Sequence, residues 1–194
     1  MLITLEGLDG SGKTTAWEHL RDRYTEYCFT REPTHSWYGD AVSRSLNNDD
    51  ADPLAELFLF MADHADHLHR RIIPALNQGK TVISDRYSDS RIAYQSAALA
   101  ESRLENPFEY IRSLHRPFSY SPDLTIYFSI DPETAAERAG ATNKFERTDY
   151  LRLVEAQYER LFSAGTRRVT RIDATQPKTA VANQVSECID AAMS

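Results

Sequence analysis

Fourteen residues near the start of the chain narrow its possible folds more than the rest together: the apolar run LITL (2–5) leads straight into EGLDGSGKTT (6–15). Gly7, Gly12, Lys13 and Thr14 satisfy G-x-x-x-x-G-K-[ST], a loop that works only between a buried strand and a helix. Its glycines let successive backbone N–H groups converge on an anion, and the helix beginning near Lys13 adds its positive end. Lys13 is expected to reach the β- and γ-phosphates of a nucleoside triphosphate, and the Thr14 hydroxyl to hold Mg²⁺.

Strand-like and helix-like segments alternate along the remaining sequence, which predicts a parallel sheet with helices on both faces. Strands are expected at 2–6, 27–31, 81–85, 124–130 and 169–173. Helices are expected at 13–27, 53–77, 88–99, 132–139, 145–164 and 178–192, with a helix plus a loop within 103–118. No linker, repeat or low-complexity tract interrupts the 194 residues, so one domain spanning 1–194 is expected. The fold class is α/β, a P-loop three-layer sandwich with a five-stranded parallel sheet.

A net charge of −7 with an acidic run at NNDDAD (47–52) argues against a general nucleic-acid binder, which neutralises phosphates with Lys and Arg. The two cysteines, Cys28 and Cys188, form no CxxC, and no apolar run is long enough to span a membrane. A soluble cytoplasmic protein is expected. A GTPase switch would need D-x-x-G after a strand, yet the only such match, Asp9–Gly12, lies within the loop itself. NKFE (143–146) resembles a guanine-reading motif but sits between two helices and carries Glu in place of Asp.

In HADHLH (64–69), His64 and His67 are helical neighbours without a third ligand cluster nearby, and a polar helix face explains them better than zinc. Within 53–77, Leu54, Leu57, Phe58, Met61, Ala65, Leu68 and Ile72 form one apolar stripe. Phe60, His64, His67 and Arg71 form a second, roughly 100° away, so Phe60 is not expected at the middle of the core face.

Taken with TREP (30–33), LFLFMADHADHL (57–68), DRYSDSRIAYQ (85–95), PDLTIYFSID (122–131) and IDA (172–174), the P-loop makes the chain resemble the thymidylate kinase family of nucleoside monophosphate kinases. The motifs stand in family order across nearly the whole chain. The resemblance implies transfer of the ATP γ-phosphoryl group to dTMP, giving dTDP, with Mg²⁺ and a homodimeric, nucleotide-binding enzyme. ATP falls to Gly7, Leu8, Asp9, Gly10, Ser11, Gly12, Lys13, Thr14, Thr15 and Arg138, its adenine near IDATQ (172–176), and Mg²⁺ to Thr14 and Asp85. Asp9 matches an acidic residue that contacts the acceptor sugar, and Arg86 the arginine that grips the acceptor phosphate. Glu32 and Pro33 match a turn lining the acceptor pocket, and Phe60 the ring on which the base stacks.

Three departures from the family pattern are visible. His64 stands where an arginine usually bonds the base, and Arg91 stands where a small or polar residue is usual. The expectation is that the cation has moved to Arg91, with Gln95 bonding the base edge and Tyr94 packing near the 2′ carbon. Ser43 and Arg44 occupy positions usually held by two arginines, leaving Arg44 as a candidate acceptor contact. The P-loop lacks a basic residue between its glycines, so charge neutralisation is expected from a short lid, 138–147, through Arg138, Arg147 and Lys144. The alternatives are a broader deoxynucleoside monophosphate kinase that also accepts purines, and a nucleotide-binding switch without turnover.

Overall fold

The computed structural model describes residues 1–140, 144–163 and 168–193. Five strands, β1 (Leu2–Gly7), β2 (Cys28–Arg31), β3 (Val82–Asp85), β4 (Leu124–Ser129) and β5 (Val169–Asp173), form one all-parallel sheet in the order β2-β3-β1-β4-β5. The chain leaves β1 toward one edge and returns past it to the other, so the direction of winding reverses beside β1. Open α/β sheets bind ligands at the carboxyl ends of the strands at such a reversal.

Right-handed crossovers place α1 (Lys13–Arg23) and α9 (Lys178–Met193) together over one face. The other face carries α3 (Pro53–His67), α5 (Ser88–Ala98) and α8 (Thr148–Ser163). Ile3, Leu5, Ile83, Ile126 and Phe128 are fully buried between the layers. From Ser88 to Ala97, α5 is buried at every residue, so it has no solvent face at all.

Several boundaries differ from the periodicity. Helix α1 stops at Arg23, because Tyr24 turns to donate its hydroxyl to Asp190 of α9 at 2.6 Å and stacks on Tyr27. An additional helix, α2 (Trp37–Leu46), begins at Ser36, whose hydroxyl accepts from the Gly39 N–H. Gly39 is required there, since a Cβ would lie 1.9 Å from the Thr34 carbonyl oxygen.

The helix expected over 53–77 is α3, one π-helical turn (Leu68–Ile72) and α4 (Ile73–Asn77). Pro74 offers no N–H to the preceding turn, and the ladder widens just before it. Phe58 and Ala65, assigned to the apolar stripe, are exposed, whereas His64 and His67 are buried. The inner face of α3 therefore lies nearer the His64 side than the apolar periodicity indicates. Helix α6 (Pro107–His115) is capped by Asn106, and α7 (Pro132–Ala139) by Asp131. A 3-10 turn at Lys144–Glu146 precedes α8, so the helix expected from 145 starts at Thr148. Within the lid segment, residues 141–143 and the side chain of Lys144 lie outside the described residues.

Candidate active site

Strand register assembles the site. Arg31 and Leu5 both pair with Asp85 across adjacent strands, which sets the ends of β2 and β3 level with Leu5, two residues before β1 ends at Gly7. The residue after β3, Arg86, adopts φ 69°, a left-handed conformation uncommon for a residue with a side chain. Its N–H still bonds Leu5 O at 3.0 Å while its side chain turns over the P-loop.

In the loop, Gly10 (φ +79°) and Gly12 (φ +86°) supply the left-handed turns. A Cβ at Gly10 would sit 2.1 Å from the Ala135 carbonyl oxygen of α7, so the loop lies flush against that helix. Leu8 is wholly buried and contributes backbone only. Lys13 folds back, its Nζ donating to Leu8 O at 2.6 Å and to Ser11 Oγ at 3.1 Å. Burial, with the charge of Arg86, pushes its ammonium down to about 7. An anion in the loop would supply the counter-charge it lacks.

Thr14 Oγ1 donates to Asp85 Oδ2 at 2.8 Å, and Arg31 Nη2 approaches the same oxygen at 3.2 Å. Arg86 Nη2 donates to Asp9 Oδ1 at 2.5 Å and Nη1 to Gly7 O at 3.1 Å, with the guanidinium over the Tyr94 ring. Burial alone would raise the Asp9 carboxyl, but the charges of Arg86 and Lys13 outweigh it and lower it. The Tyr94 hydroxyl accepts from the Asp9 N–H at 2.8 Å, linking α5 to the loop.

Beneath Arg86 lies Glu6, which accepts from Ser90, the Tyr158 hydroxyl and the Tyr87 N–H. Burial and the neighbouring charge of Asp89 raise its carboxyl to about 7.

Two cavities meet at Asp9, Glu32, Pro33 and Arg86. The larger, about 960 Å³, runs along the P-loop, including Thr14 and Thr15, to Arg138, Thr175 and Gln176. Arg138 Nη1 donates to Ala174 O at 2.8 Å, so α7 and the loop after β5 meet at that end. The smaller, about 130 Å³, is walled by Phe60, Arg91, Tyr94 and Gln95.

The Glu32 carboxylate is buried between the two cavities. It accepts from His64 at 2.8 Å and His67 at 2.7 Å through one oxygen and from Arg91 through the other. Burial pushes this carboxyl up, but the Arg91 charge and the His64 contact prevail and hold it well below the usual carboxylate range.

His64 does not reach the pocket wall. Its second nitrogen is 2.8 Å from Ser119 Oγ, the residue is fully buried, and burial with the Arg91 charge pushes the imidazole down to about 4. Bonded at both ring nitrogens, the side chain lines neither cavity. His67 and His64 are likewise ligands of Glu32 and not an exposed polar face. Arg44 is also not brought in. It lies two residues from the buried Val42 on α2, hence on the opposite side of the helix, and is exposed. Arg147 is exposed and lines neither cavity.

The sequence reading passed over Arg31, Glu6, Ser90 and Tyr158. Arg31 stands within the TREP motif and needed only the β2–β3 register to be seen as an Asp85 partner. Tyr158 and Glu6 are 152 positions apart, and nothing in local pattern joins them.

The family model described as Thymidylate kinase matches residues 5–185. A protein of Halorubrum lacusprofundi named "Probable thymidylate kinase" is 61% identical over 191 residues, covering 97% of each chain. One of the same name from Natronomonas pharaonis is 57% identical over the full length of both. A third, from Methanococcoides burtonii, is 47% identical over 97% of this chain and 95% of its own. With a P-loop cavity and a smaller walled cavity sharing Asp9 and Arg86, and with the family model matching residues 5–185, the chain belongs to the thymidylate kinase family.

Proposed function

We propose that the protein transfers the γ-phosphoryl group of ATP to dTMP, giving ADP and dTDP, and that the residues just described carry out the transfer. The observation that carries this reading is the meeting of the two cavities at Asp9 and Arg86. A nucleotide with its base in the smaller cavity would direct its phosphate toward Arg86 and the P-loop. Neither the family nor the named relatives lend support to a broader acceptor range.

Each side chain has a role in this scheme. Lys13 leaves Leu8 O to neutralise the β- and γ-phosphates, and the loop N–H groups orient them for in-line attack. Arg86 holds the acceptor phosphate with its planar fork, and Asp9 fixes both that guanidinium and the acceptor sugar hydroxyl. Phe60 offers a stacking face, an interaction worth about 1–3 kcal/mol where bases stack on aromatics. Tyr94 packs beneath the sugar, and Pro33 closes the side of the pocket. Arg138 serves the adenine end and the transferring phosphates, with Arg147 and Lys144 brought in by closure of the lid 138–147.

Thr14 and Asp85 present a hydroxyl and a carboxylate oxygen 2.8 Å apart beside the P-loop, a hard-oxygen pair that fits Mg²⁺ completing its shell with water and phosphate. Such an ion, held by Thr14 and Asp85, would supply positive charge to neutralise the phosphates. Cys28 and Cys188 are both free thiols, which suits a reducing cytoplasm. Trp37 and Phe58 are 71% and 48% exposed on the neighbouring helices α2 and α3, and this supports a homodimer formed through helices.

Coupled ADP release with Mg-ATP against dTMP, dUMP, dCMP, dGMP and dAMP tests the assignment. Preference for dTMP is expected. Comparable turnover of a purine monophosphate would replace it with the broader kinase, and no ADP with any nucleotide would leave only a binding protein.

A further inference from the structure

A third cavity, about 420 Å³, lies between the start of α5, helix α6 and the segment leading into β4, and shares no lining residue with the other two. Arg112 and Arg116 line it together with Ser88, Ser119 and Ser121. Glu109 also lines it, but that carboxylate already accepts from Arg112 at 3.1 Å and lies 3.9 Å from Arg160. Among the described residues, no carboxylate pairs with the exposed Arg116. The wall therefore carries excess positive charge among hydroxyl groups. Planar guanidinium forks beside hydroxyls suit phosphate oxygens, and the volume falls in the range of about 300–1,000 Å³ usual for small-molecule sites.

Two residues of this wall, His115 and Ser119, also belong to a closed ring of hydrogen bonds that reaches the small cavity. The Glu32 carboxylate accepts from Arg91 and from His64 Nδ1–H, which leaves His64 Nε2 bare. That nitrogen lies 2.8 Å from Ser119 Oγ, so the Ser119 hydroxyl donates to it. Ser119 Oγ then accepts from His115 Nδ1–H at 3.0 Å, and His115 Nε2 accepts from Arg91 Nε–H at 3.4 Å. Each hydrogen in the ring has one direction, fixed by the charges of Glu32 and Arg91. Glu32 and Arg91 line the small cavity, while His115 and Ser119 line the third.

We propose that the third cavity binds a phosphate-bearing small molecule between Arg112 and Arg116, and that its occupancy weakens binding in the small cavity through this ring. A phosphate oxygen is a stronger acceptor than a neutral imidazole nitrogen, so it draws the Ser119 hydroxyl away from His64. The ring opens there, and Glu32 and Arg91 lose the bracing that holds their wall of the small cavity ready for a ligand. Coupling between sites is reciprocal, so a ligand in the small cavity weakens phosphate binding by the same factor. The kinase proposed above supplies only the small-cavity ligand used in the test.

Inorganic phosphate is the probe, added to the nucleotide-free enzyme against chloride at equal ionic strength. With histidine labelled in its ring nitrogens, NMR is expected to show a saturable shift of the His115 signals. Arg116→Glu, a change at an exposed side chain, should weaken the binding that this shift reports by about tenfold or more. Calorimetry should show phosphate raising the dTMP dissociation constant about fivefold beyond its effect in Arg116→Glu. Direct competition for Arg86 survives in that variant and is thereby subtracted. Ser119→Ala should still bind phosphate in the third cavity but lose the added effect on dTMP.

Absence of a saturable His115 shift would overturn the proposal, as would Arg116→Glu binding phosphate like wild type. Phosphate that binds there and weakens dTMP equally in wild type and Ser119→Ala would also overturn it. Failure of the kinase assignment looks different: wild type would then not bind dTMP without phosphate, while the His115 shift would persist.

Discussion

Arg86 and Asp9, 77 positions apart in sequence, meet at 2.5 Å across the gap between β3 and the P-loop. One bond thereby sets the Arg86 guanidinium and the P-loop in a common frame. Asp9→Asn is expected to weaken that frame by about 1.5–3 kcal/mol, the usual worth of a hydrogen bond to a charged group. In ADP-release kinetics kcat/KM for dTMP should fall by about 10- to 100-fold, with a smaller change in the ATP KM.

The Thr14–Asp85 contact predicts how activity depends on magnesium. Thr14→Val keeps the shape of the side chain and removes the hydroxyl. The variant should need more Mg²⁺ for half-maximal rate and lose about 10- to 100-fold in kcat. Thr14→Ser should stay near wild type. A Mg²⁺ titration of both variants that shows no difference would remove Thr14 from the metal site.

Lys13 predicts a proton uptake. In the empty site its ammonium titrates at about 7, so at pH 8 it is mostly neutral. Phosphate oxygens raise that value, and Mg-ATP binding at pH 8 should take up close to about one proton per site. Calorimetry in buffers of different ionisation enthalpy reads the number directly. Lys13→Met should abolish the uptake.

Glu6 predicts the pH dependence of stability. Its folded value of about 7 lies above the unfolded 4.5, so the folded state binds the proton more tightly. The stabilisation is complete below pH 4.5 and disappears as pH rises through 7. Glu6→Gln should flatten the fall in Tm between pH 5 and 7 that wild type shows in thermal melts.

Gly10 predicts a packing defect. A methyl group there would strike the Ala135 carbonyl oxygen at 2.1 Å from a backbone already at φ +79°. Gly10→Ala should destabilise the fold by about 2 kcal/mol or more and lower Tm by about 4 °C or more. A melt unchanged from wild type would mean that the loop can lift off α7.

How much of this was legible in the sequence depended on the range over which the physics acts. The P-loop, the strands and most helices follow from local pattern, because glycine geometry and apolar periodicity are local properties. Helix α2 was passed over since its signals, a Ser36 cap and a Gly39 that must approach Thr34, do not look apolar-periodic. Asp9, Arg86, Phe60 and Gln95 were found by motif, and the structure brings all four to one pair of joined cavities. The sequence shows the spacing of His64 from Phe60 but not the buried Glu32 that its ring nitrogen meets. The same carboxylate explains why Arg91 is immobilised in the interior instead of extended on the surface.

For a lineage of such enzymes, the buried pairing of Arg91 with Glu32 makes this wall of the small cavity hard to change one substitution at a time. Losing Arg91 alone strands a carboxylate in the interior, and losing Glu32 alone strands a guanidinium; either costs about 3–5 kcal/mol. That is a large share of a typical domain's stability, so the single-step intermediates would fold poorly before any new wall could be selected. A route to a reshaped cavity must alter both residues together, or first gather stabilising changes elsewhere in the fold.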